Sequence, residues 1–167
     1  MSGHDCAACG PSGRREFLRV AALLFATLAG LGGSAAAAES LPVRTARGFR
    51  GRRDEVTYPL PAADGVEIDK AQQVILVRYE RAIYAFALSC PHQNTALKWS
   101  EGDARFQCPK HKSKYQPDGT FISGRATRGM DRYAIRRAGE SVVVNLDQLH
   151  EQDADAAGWD AAKIVLE

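Results

Sequence analysis

The sequence predicts an all-β domain, either an antiparallel sandwich or a small barrel. Three observations predict this class: short segments rich in β-branched and aromatic residues, turn-forming residues between them, and no long segment with the 3.6-residue apolar period of a helix. The 167 residues suffice for one modest hydrophobic core. A formal charge of +2 is too close to zero to indicate nucleic acid or a membrane surface as the partner.

The N-terminal segment, residues 1–38, has the pattern of an export signal. The pair Arg14-Arg15 precedes the apolar run 20–38, and Ala35–Ala38 supply the small residues of a cleavage site. The arginine pair resembles the bacterial twin-arginine signal, which implies export to the periplasmic side of the inner membrane. We expect cleavage near residue 38. Retention as a membrane anchor is the alternative, because about 20 apolar residues span a bilayer.

The rest of the chain divides into three parts by composition. Residues 39–54 hold five arginines without an apolar period, which predicts a solvated linker. Residues 55–147 carry the strand and turn patterns of the folded domain. Residues 148–167 form an acidic tail, for which a short helix and a docking strand are both open. His150, in this tail, is predicted to be a surface residue without an assigned role.

Two β-hairpins are predicted inside the folded domain. The strands of the first are Gln73–Tyr79 and Ala82–Leu88, and those of the second are Tyr133–Arg137 and Ser141–Leu146. Their apolar, β-branched residues and short polar connections are typical of paired strands. Between the hairpins, Pro117-Asp118-Gly119 marks a turn.

The most specific feature is a pair of Cys-His motifs, Cys90 with His92 and Cys108 with His111. The pattern is C-x-H, fifteen residues, then C-x-x-H, and each motif follows a predicted strand. Two neighbouring loop tips would therefore bring four metal ligands together. Zinc accepts two thiolates and two imidazoles, and an exported protein can form a disulfide. Either would leave a non-redox binding module. One cysteine and one histidine on each loop instead favour a centre with two unlike irons.

The CPH and CPKH segments resemble the two motifs of Rieske 2Fe-2S proteins. The resemblance implies an antiparallel β sandwich with two cluster-binding loops and a 2Fe-2S cluster. By the resemblance, Cys90 and Cys108 hold the inner iron, and His92 and His111 hold the outer iron near solvent. Two neutral ligands in place of two anionic ones leave such a cluster less negative, which raises its reduction potential.

Two further residues match the family, and two positions depart from it. Ser113 and Tyr115 match the serine and tyrosine that donate hydrogen bonds to cluster sulfurs in high-potential Rieske proteins. In Rieske proteins of cytochrome bc complexes a disulfide joins the two loops, whereas Thr95 and Lys110 stand at the expected positions here. The proline-rich covering loop of those proteins is also not evident, since Ser123–Met130 contains no proline.

Without a loop disulfide, the two loops need another brace. Packing of Trp99 and Phe106 beneath them is one interpretation, and membership of the ordinary core is the other.

The resemblance implies one-electron transfer with no catalytic residues. The chain would then be an exported ferredoxin or the iron-sulfur subunit of an oxidoreductase, with a cytochrome or larger redox subunit as partner. The alternative is the quinol-oxidising subunit of a cytochrome bc-type complex, in which His111 would face the quinol.

Charge is distributed unevenly along the chain. The stretch from Cys90 to Arg137 has a net charge of +6, and residues 138–167 have a net charge of −6. This asymmetry predicts a basic docking face near the Cys-His motifs, including Lys110, Lys112 and Lys114, that attracts an acidic partner. A solvated surface without a partner is the alternative.

Overall fold

The computed structural model describes residues 41–50 and 54–167, apart from the side chain of Arg50. The predicted export signal lies outside these residues. Within them, the predicted all-β class is confirmed: strands form two sheets, and regular helix is limited to two short segments. No helix in the described ranges is long and apolar enough to cross a membrane.

The larger sheet contains nine strands in the described part of the chain. In spatial order they are β1 (Val43–Thr45), β4 (Gly65–Asp69), β5 (Val74–Tyr79), β6 (Ala82–Ala87), β11 (Arg132–Ala138), β12 (Ser141–His150), β3 (Glu55–Pro59) and β2 (Phe49–Arg50), with β13 (Ile164–Val165) also paired to β6. The smaller sheet has the order β10 (Phe121–Ser123), β9 (Lys114–Tyr115), β8 (Arg105–Gln107) and β7 (Lys98–Ser100). The helical segments are a 3-10 turn at Glu101–Asp103 and α1 (Ala156–Ala161).

Both predicted hairpins form. Strands β5 and β6 pair antiparallel across the turn at Glu80, which adopts a left-handed φ of 55°. Strands β11 and β12 pair across Gly139, whose φ of 60° is readily adopted by glycine. The turn residues thus set the register in each hairpin, which keeps the buried side chains on the intended faces.

Residues 41–50 belong to the larger sheet, although the sequence predicts a solvated linker over 39–54. Strand β1 pairs in parallel with β4, and β2 pairs antiparallel with β3. Between them the amide of Gly48 donates to the buried carboxylate of Asp69 at 2.8 Å. The chain therefore crosses from one edge of the larger sheet to the other in a few residues and curls it. The strands are too short, and arginines too frequent in this part of the sequence, to give an apolar period.

Two apolar clusters lie on opposite faces of β5 and β6. Ile75 and Phe86 belong to the cluster that also contains both Cys90 and Cys108, whereas Leu76 and Ile83 belong to the other. Because both faces are covered, Val74–Val77 of β5 and Ala85–Ala87 of β6 are all buried, which explains the unbroken apolar runs in this hairpin. The first cluster connects the larger sheet to the Cys-His loops.

The acidic tail contains both elements left open by the sequence, a helix and a strand. Helix α1 is capped by the Asp155 carboxylate, which accepts the amide of Gly158 at 2.9 Å, and β13 pairs with β6. His150 is bound rather than free at the surface: its Nδ1 lies 2.6 Å from an oxygen of Asp155. Because a carboxylate can only accept, Nδ1 carries the proton.

We expect Asp155 to contribute to the acid sensitivity of the fold. The amide of Gly158 and the His150 side chain lower the pKa of Asp155. A lowered pKa means that its stabilising effect is complete above the ordinary aspartate pKa and is lost as the pH falls through the lowered value. In acid unfolding followed by circular dichroism, Asp155→Asn should flatten the loss of stability below about pH 4. The exposed-site control Glu140→Gln should follow the unmodified chain, and equal profiles for all three would contradict this role.

Candidate metal centre

The two Cys-His motifs occupy loops with the same backbone pattern. In the first, the amide of Asn94 donates to the carbonyl of Cys90, and the Cys90 amide donates to Thr95. In the second, Lys112 donates to Cys108, and the Cys108 amide donates to Ser113. Each loop is thus a tight turn that closes on its own cysteine.

A left-handed residue completes each turn. Asn94 has a φ of 49° and Lys112 a φ of 60°. Asparagine tolerates this conformation better than most residues, while lysine adopts it at some cost. The repeated geometry holds the two cysteines at equivalent points of adjacent loops.

The structure brings all four motif residues together. Cys90 and Cys108 are fully buried and are not joined by a disulfide. His92 and His111 are partly exposed, and their Nδ1 atoms face each other at 3.2 Å with ring centroids 4.7 Å apart. Two buried thiols below two converging imidazole nitrogens provide the donors for a centre with one sulfur-bound and one nitrogen-bound metal. These residues fit a 2Fe-2S cluster, and their ligand roles remain a prediction.

The donors are arranged in pairs. Among residues 41–50 and 54–167, no three His, Cys, Asp or Glu side chains are placed to hold one metal ion.

The electrostatic surroundings differ between the two kinds of donor. Burial alone raises the pKa of Cys108, but hydrogen bonds from the backbone amides of His111 and Lys110, with smaller contributions from Cys90 and Thr95, lower it overall. Partial burial, together with the positive charges of His92, Lys110 and Arg125, lowers the pKa of His111. Both directions favour the forms that bind metals, thiolate and neutral imidazole.

Ser113 and Tyr115 lie beside the cysteines, where the sequence predicts them. The Tyr115 hydroxyl is 3.3 Å from the sulfur of Cys90, and burial is the main cause that raises the pKa of Tyr115. The Ser113 oxygen is buried and accepts hydrogen bonds from the amides of Arg125 and Ala126, at 3.1 and 3.0 Å. Because these amides occupy the acceptor sites of the Ser113 oxygen, its proton is available for donation elsewhere.

Gly124 allows this approach to Ser113. A Cβ atom at position 124 would lie 2.3 Å from the Cα of Ser113, and the φ of Gly124 is 118°. A side chain there would force the two amides away from the Ser113 oxygen. The amides were not identifiable from the sequence, although a glycine eleven residues after Ser113 was a visible signal of close backbone approach.

The aromatic residues predicted as a brace do lie under the loops. The fully buried ring of Phe106 packs edge-on against Trp99 at 4.8 Å and against Phe86 at 6.2 Å. The Trp99 indole donates to the carbonyl of Leu41 at 3.1 Å. Since Phe106 shares the apolar cluster with both cysteines, the brace and the core are the same structure.

Comparison with known proteins identifies the same region. Residues 55–150 match the Rieske 2Fe-2S domain family. An iron-sulfur subunit of the cytochrome b6-f complex from Chlorobaculum thiosulfatiphilum is 30% identical over 73 residues, and subunit 3 from Nostoc sp. is 42% identical over 57. These matches cover 44% and 34% of this chain, but only 40% and 32% of those relatives.

Among solved structures, the plasma membrane Rieske protein PetC3 from Synechocystis is similar at 22% identity and a TM-score of 0.40. This match covers 55% of the present chain and 86% of PetC3.

Proposed function

The chain belongs to the Rieske 2Fe-2S family and carries a 2Fe-2S cluster, and from this premise we propose that Cys90, Cys108, His92 and His111 hold the cluster for one-electron transfer. The single observation that supports this most directly is the approach of the two Nδ1 atoms to 3.2 Å, on loops that also carry two buried, unbridged cysteines. When bound, the cluster accepts and releases single electrons.

The cysteines and the histidines of the site differ in their exposure to water. The sulfur atoms of Cys90 and Cys108 lie in the apolar cluster, which excludes water from that side. The partly exposed rings of His92 and His111 form the edge through which an electron reaches a partner. With the two Nδ1 atoms facing each other, Nε2 is the atom at which each ring can hold or release a proton.

The test is spectroscopic. The full chain, expressed in cells that build iron-sulfur clusters, should be coloured and contain two irons per chain, and its reduced form should give the electron paramagnetic resonance signal of a Rieske centre. Zinc in place of iron, or a disulfide between Cys90 and Cys108, would contradict the proposal.

We also propose that the chain is exported, with 1–38 as the signal and 55–147 as the electron-transfer domain. The free protein would serve as a ferredoxin or as the iron-sulfur subunit of an oxidoreductase. The b6-f relatives are named as iron-sulfur subunits of a complex, which favours the second candidate of the sequence analysis, a quinol-oxidising subunit that keeps segment 20–38 as an anchor. N-terminal sequencing of the protein from its native host separates them, because a start near Glu39 supports the free form and an intact segment 20–38 supports the anchored one.

Removal of the hydrogen-bond donors should lower the reduction potential. Ser113→Ala and Tyr115→Phe each delete a hydroxyl near the cysteines, and a hydrogen bond to a charged group contributes about 1.5–3 kcal/mol. If the reduced state alone gains it, each variant should lower the midpoint by on the order of 60–130 mV, using about 59 mV per tenfold change. The matched controls Ser141→Ala on β12 and Tyr133→Phe on β11 lie outside the Cys-His loops and should leave the midpoint unchanged in redox titrations. Unchanged midpoints in both site variants would refute the assignment.

The basic residues beside the histidines support a docking face. Lys110, Lys112 and Arg125 are exposed, and none of them forms an ion pair with a carboxylate in the described part of the chain. Lys110 and Arg125 are also close enough to His111 to lower its pKa. Unpaired cations at the exposed edge of the site favour an acidic redox partner.

Neutralising this face should slow electron transfer to an acidic acceptor. We expect Lys110→Gln with Lys112→Gln to reduce the second-order rate with an acidic c-type cytochrome by about tenfold at low ionic strength, and the difference to shrink in salt because the charges are screened. Lys163→Gln, an exposed lysine in the tail, is the control. Stopped-flow rates that are equal for all variants, or that fall equally with a basic cytochrome, would contradict an electrostatic docking role.

A further inference from the structure

Residues 151–167 follow the family domain. They contact residues 128–132, which lie just after the two amides that bind the Ser113 oxygen. The family match ends at residue 150. Beyond it, residues 151–159 form a series of polar contacts with residues 128–132, which we call the support loop. This loop begins two residues after the amides of Arg125 and Ala126 that bind the Ser113 oxygen.

The first contact is ionic. The Arg128 guanidinium lies 2.8 Å from Asp131 within the support loop, and 3.2 Å from Glu151 and 3.4 Å from Asp153 in the tail. Arg128 and Asp131 are both mostly buried, so this pair is screened less than the pairs with Glu151 and Asp153, whose carboxylates are about half exposed. Glu151 and Asp153, two acidic residues of the tail, therefore form ion pairs within the protein.

The next two contacts are hydrogen bonds to the loop backbone. The amide of Gly129 donates to the Gln152 side-chain oxygen at 2.7 Å, and the Trp159 indole donates to the carbonyl of Met130 at 2.7 Å. Trp159 is 5% exposed. The fit is close, because a Cβ on Gly129 would lie 2.9 Å from the Trp159 ring and 3.0 Å from the Gln152 oxygen.

Arg132, the last residue of the support loop, contacts both helix α1 and the turn at Asp118. Its guanidinium carbon lies 3.4 Å from the centre of the Trp159 ring, and its nitrogens donate to the carbonyls of Trp159 and Asp118, both at 2.7 Å. A buried guanidinium is costly to desolvate and is retained here by a cation-π contact and two hydrogen bonds. Helix α1 is thereby fixed to the turn at Asp118 as well as to the support loop.

We infer that Gln152 and Trp159 are positioning residues for the iron-sulfur site: they fix the support loop, and so keep the amides of Arg125 and Ala126 on the Ser113 oxygen. With those amides in place the Ser113 hydroxyl has a defined direction for donation. Looser amides let the hydroxyl rotate, which weakens its donation to the reduced, more negative state. The acidic tail then adds a second support for the loops to the packing of Phe106 and Trp99, in a chain without a loop disulfide. The effect on the potential rests on the proposed function, whereas the effect on the loop amides does not.

Three variants of the full chain test the inference. Gln152→Ala removes the acceptor for Gly129, and Trp159→Phe keeps an aromatic ring but removes the indole donor. Gln152→Glu keeps an acceptor oxygen and serves as the conservative rescue. Gln148→Ala is the matched control, because Gln148 is exposed on β12 and is absent from these contacts.

Two readouts are needed, amide exchange and midpoint potential. In hydrogen-exchange mass spectrometry, peptides containing Arg125 and Ala126 should exchange about tenfold faster in Gln152→Ala and Trp159→Phe, because their protection depends on local opening. The midpoint should fall by the equivalent of about a threefold change in the reduction equilibrium, roughly 30 mV at 59 mV per tenfold change. Gln152→Glu and Gln148→Ala should match the unmodified chain in both readouts.

Unchanged exchange in both variants would overturn the inference, as would equal changes in the Gln148→Ala control. Faster exchange with an unchanged midpoint would also overturn it, because the tail would then be a structural contact alone. A preparation without iron would refute the proposed function instead, and that result is read directly from metal analysis.

Discussion

Cys108→Ser should abolish the iron centre and leave a purified full chain that is colourless and contains no iron. Cys108 is fully buried, and its thiol is the donor whose pKa is lowered by the amides of its own loop. A serine hydroxyl of nearly the same size does not ionise under these conditions and is a poor ligand for iron in a sulfide cluster. Loss of one of the four proposed ligands should therefore prevent assembly.

The measurement is iron and sulfide analysis with the visible absorption spectrum. His150→Asn is the control, because His150 binds Asp155 in the tail and lies outside the Cys-His loops. It should retain full colour. Circular dichroism should show the same β-sheet content in both variants, since serine fills the volume of cysteine. A Cys108→Ser protein with normal iron content and spectrum would disprove the ligand assignment.

The Cys-His loops were predictable because their information is local. The residue types at Cys90, His92, Cys108 and His111 indicate the metal donors, and their spacing indicates the length of the loops. The flanking apolar runs indicate the strands that present these loops. The hairpin of β5 and β6 was predictable for the same reason, since both faces are covered and the apolar run is unbroken.

The crossing segment at residues 41–50 and the contacts of the tail with residues 128–132 were not predictable, because they depend on distant partners. Gly48 is held by Asp69, twenty-one residues away, and nothing in the arginine-rich segment around Gly48 indicates that carboxylate. Likewise, Glu151 and Gln152 contact residues 128 and 129, which the β11–β12 hairpin separates from them in the sequence. Sequence charge left open whether the acidic tail folds over the basic stretch or contacts a partner, and the structure places Glu151 and Asp153 of the tail against Arg128 of that stretch.

Phe106→Ala should cost about 3–5 kcal/mol of unfolding free energy, the range typical of phenylalanine truncation in a core. Phe106 is 0% exposed, and its ring is packed between Trp99 and Phe86. Truncation removes both ring contacts and leaves a cavity that β-sheet backbone closes poorly. Phe106→Leu should cost about 1–1.5 kcal/mol, since it keeps most of the apolar volume.

Phe49→Ala is the matched control, because Phe49 is the same residue type but 82% exposed on β2. Its unfolding free energy should change by no more than about 0.5 kcal/mol in denaturant titrations. Phe106 lies on β8, two residues before Cys108, so its loss should also shorten the lifetime of the bound iron at a denaturant concentration that leaves Phe49→Ala intact. Equal stability of Phe106→Ala and Phe49→Ala would show that the edge-on packing of Phe106 does not support the loops. If the two variants differ in stability but retain iron equally, the Phe106 ring contributes to the core alone. The loops would then be held by their own backbone turns and by the tail.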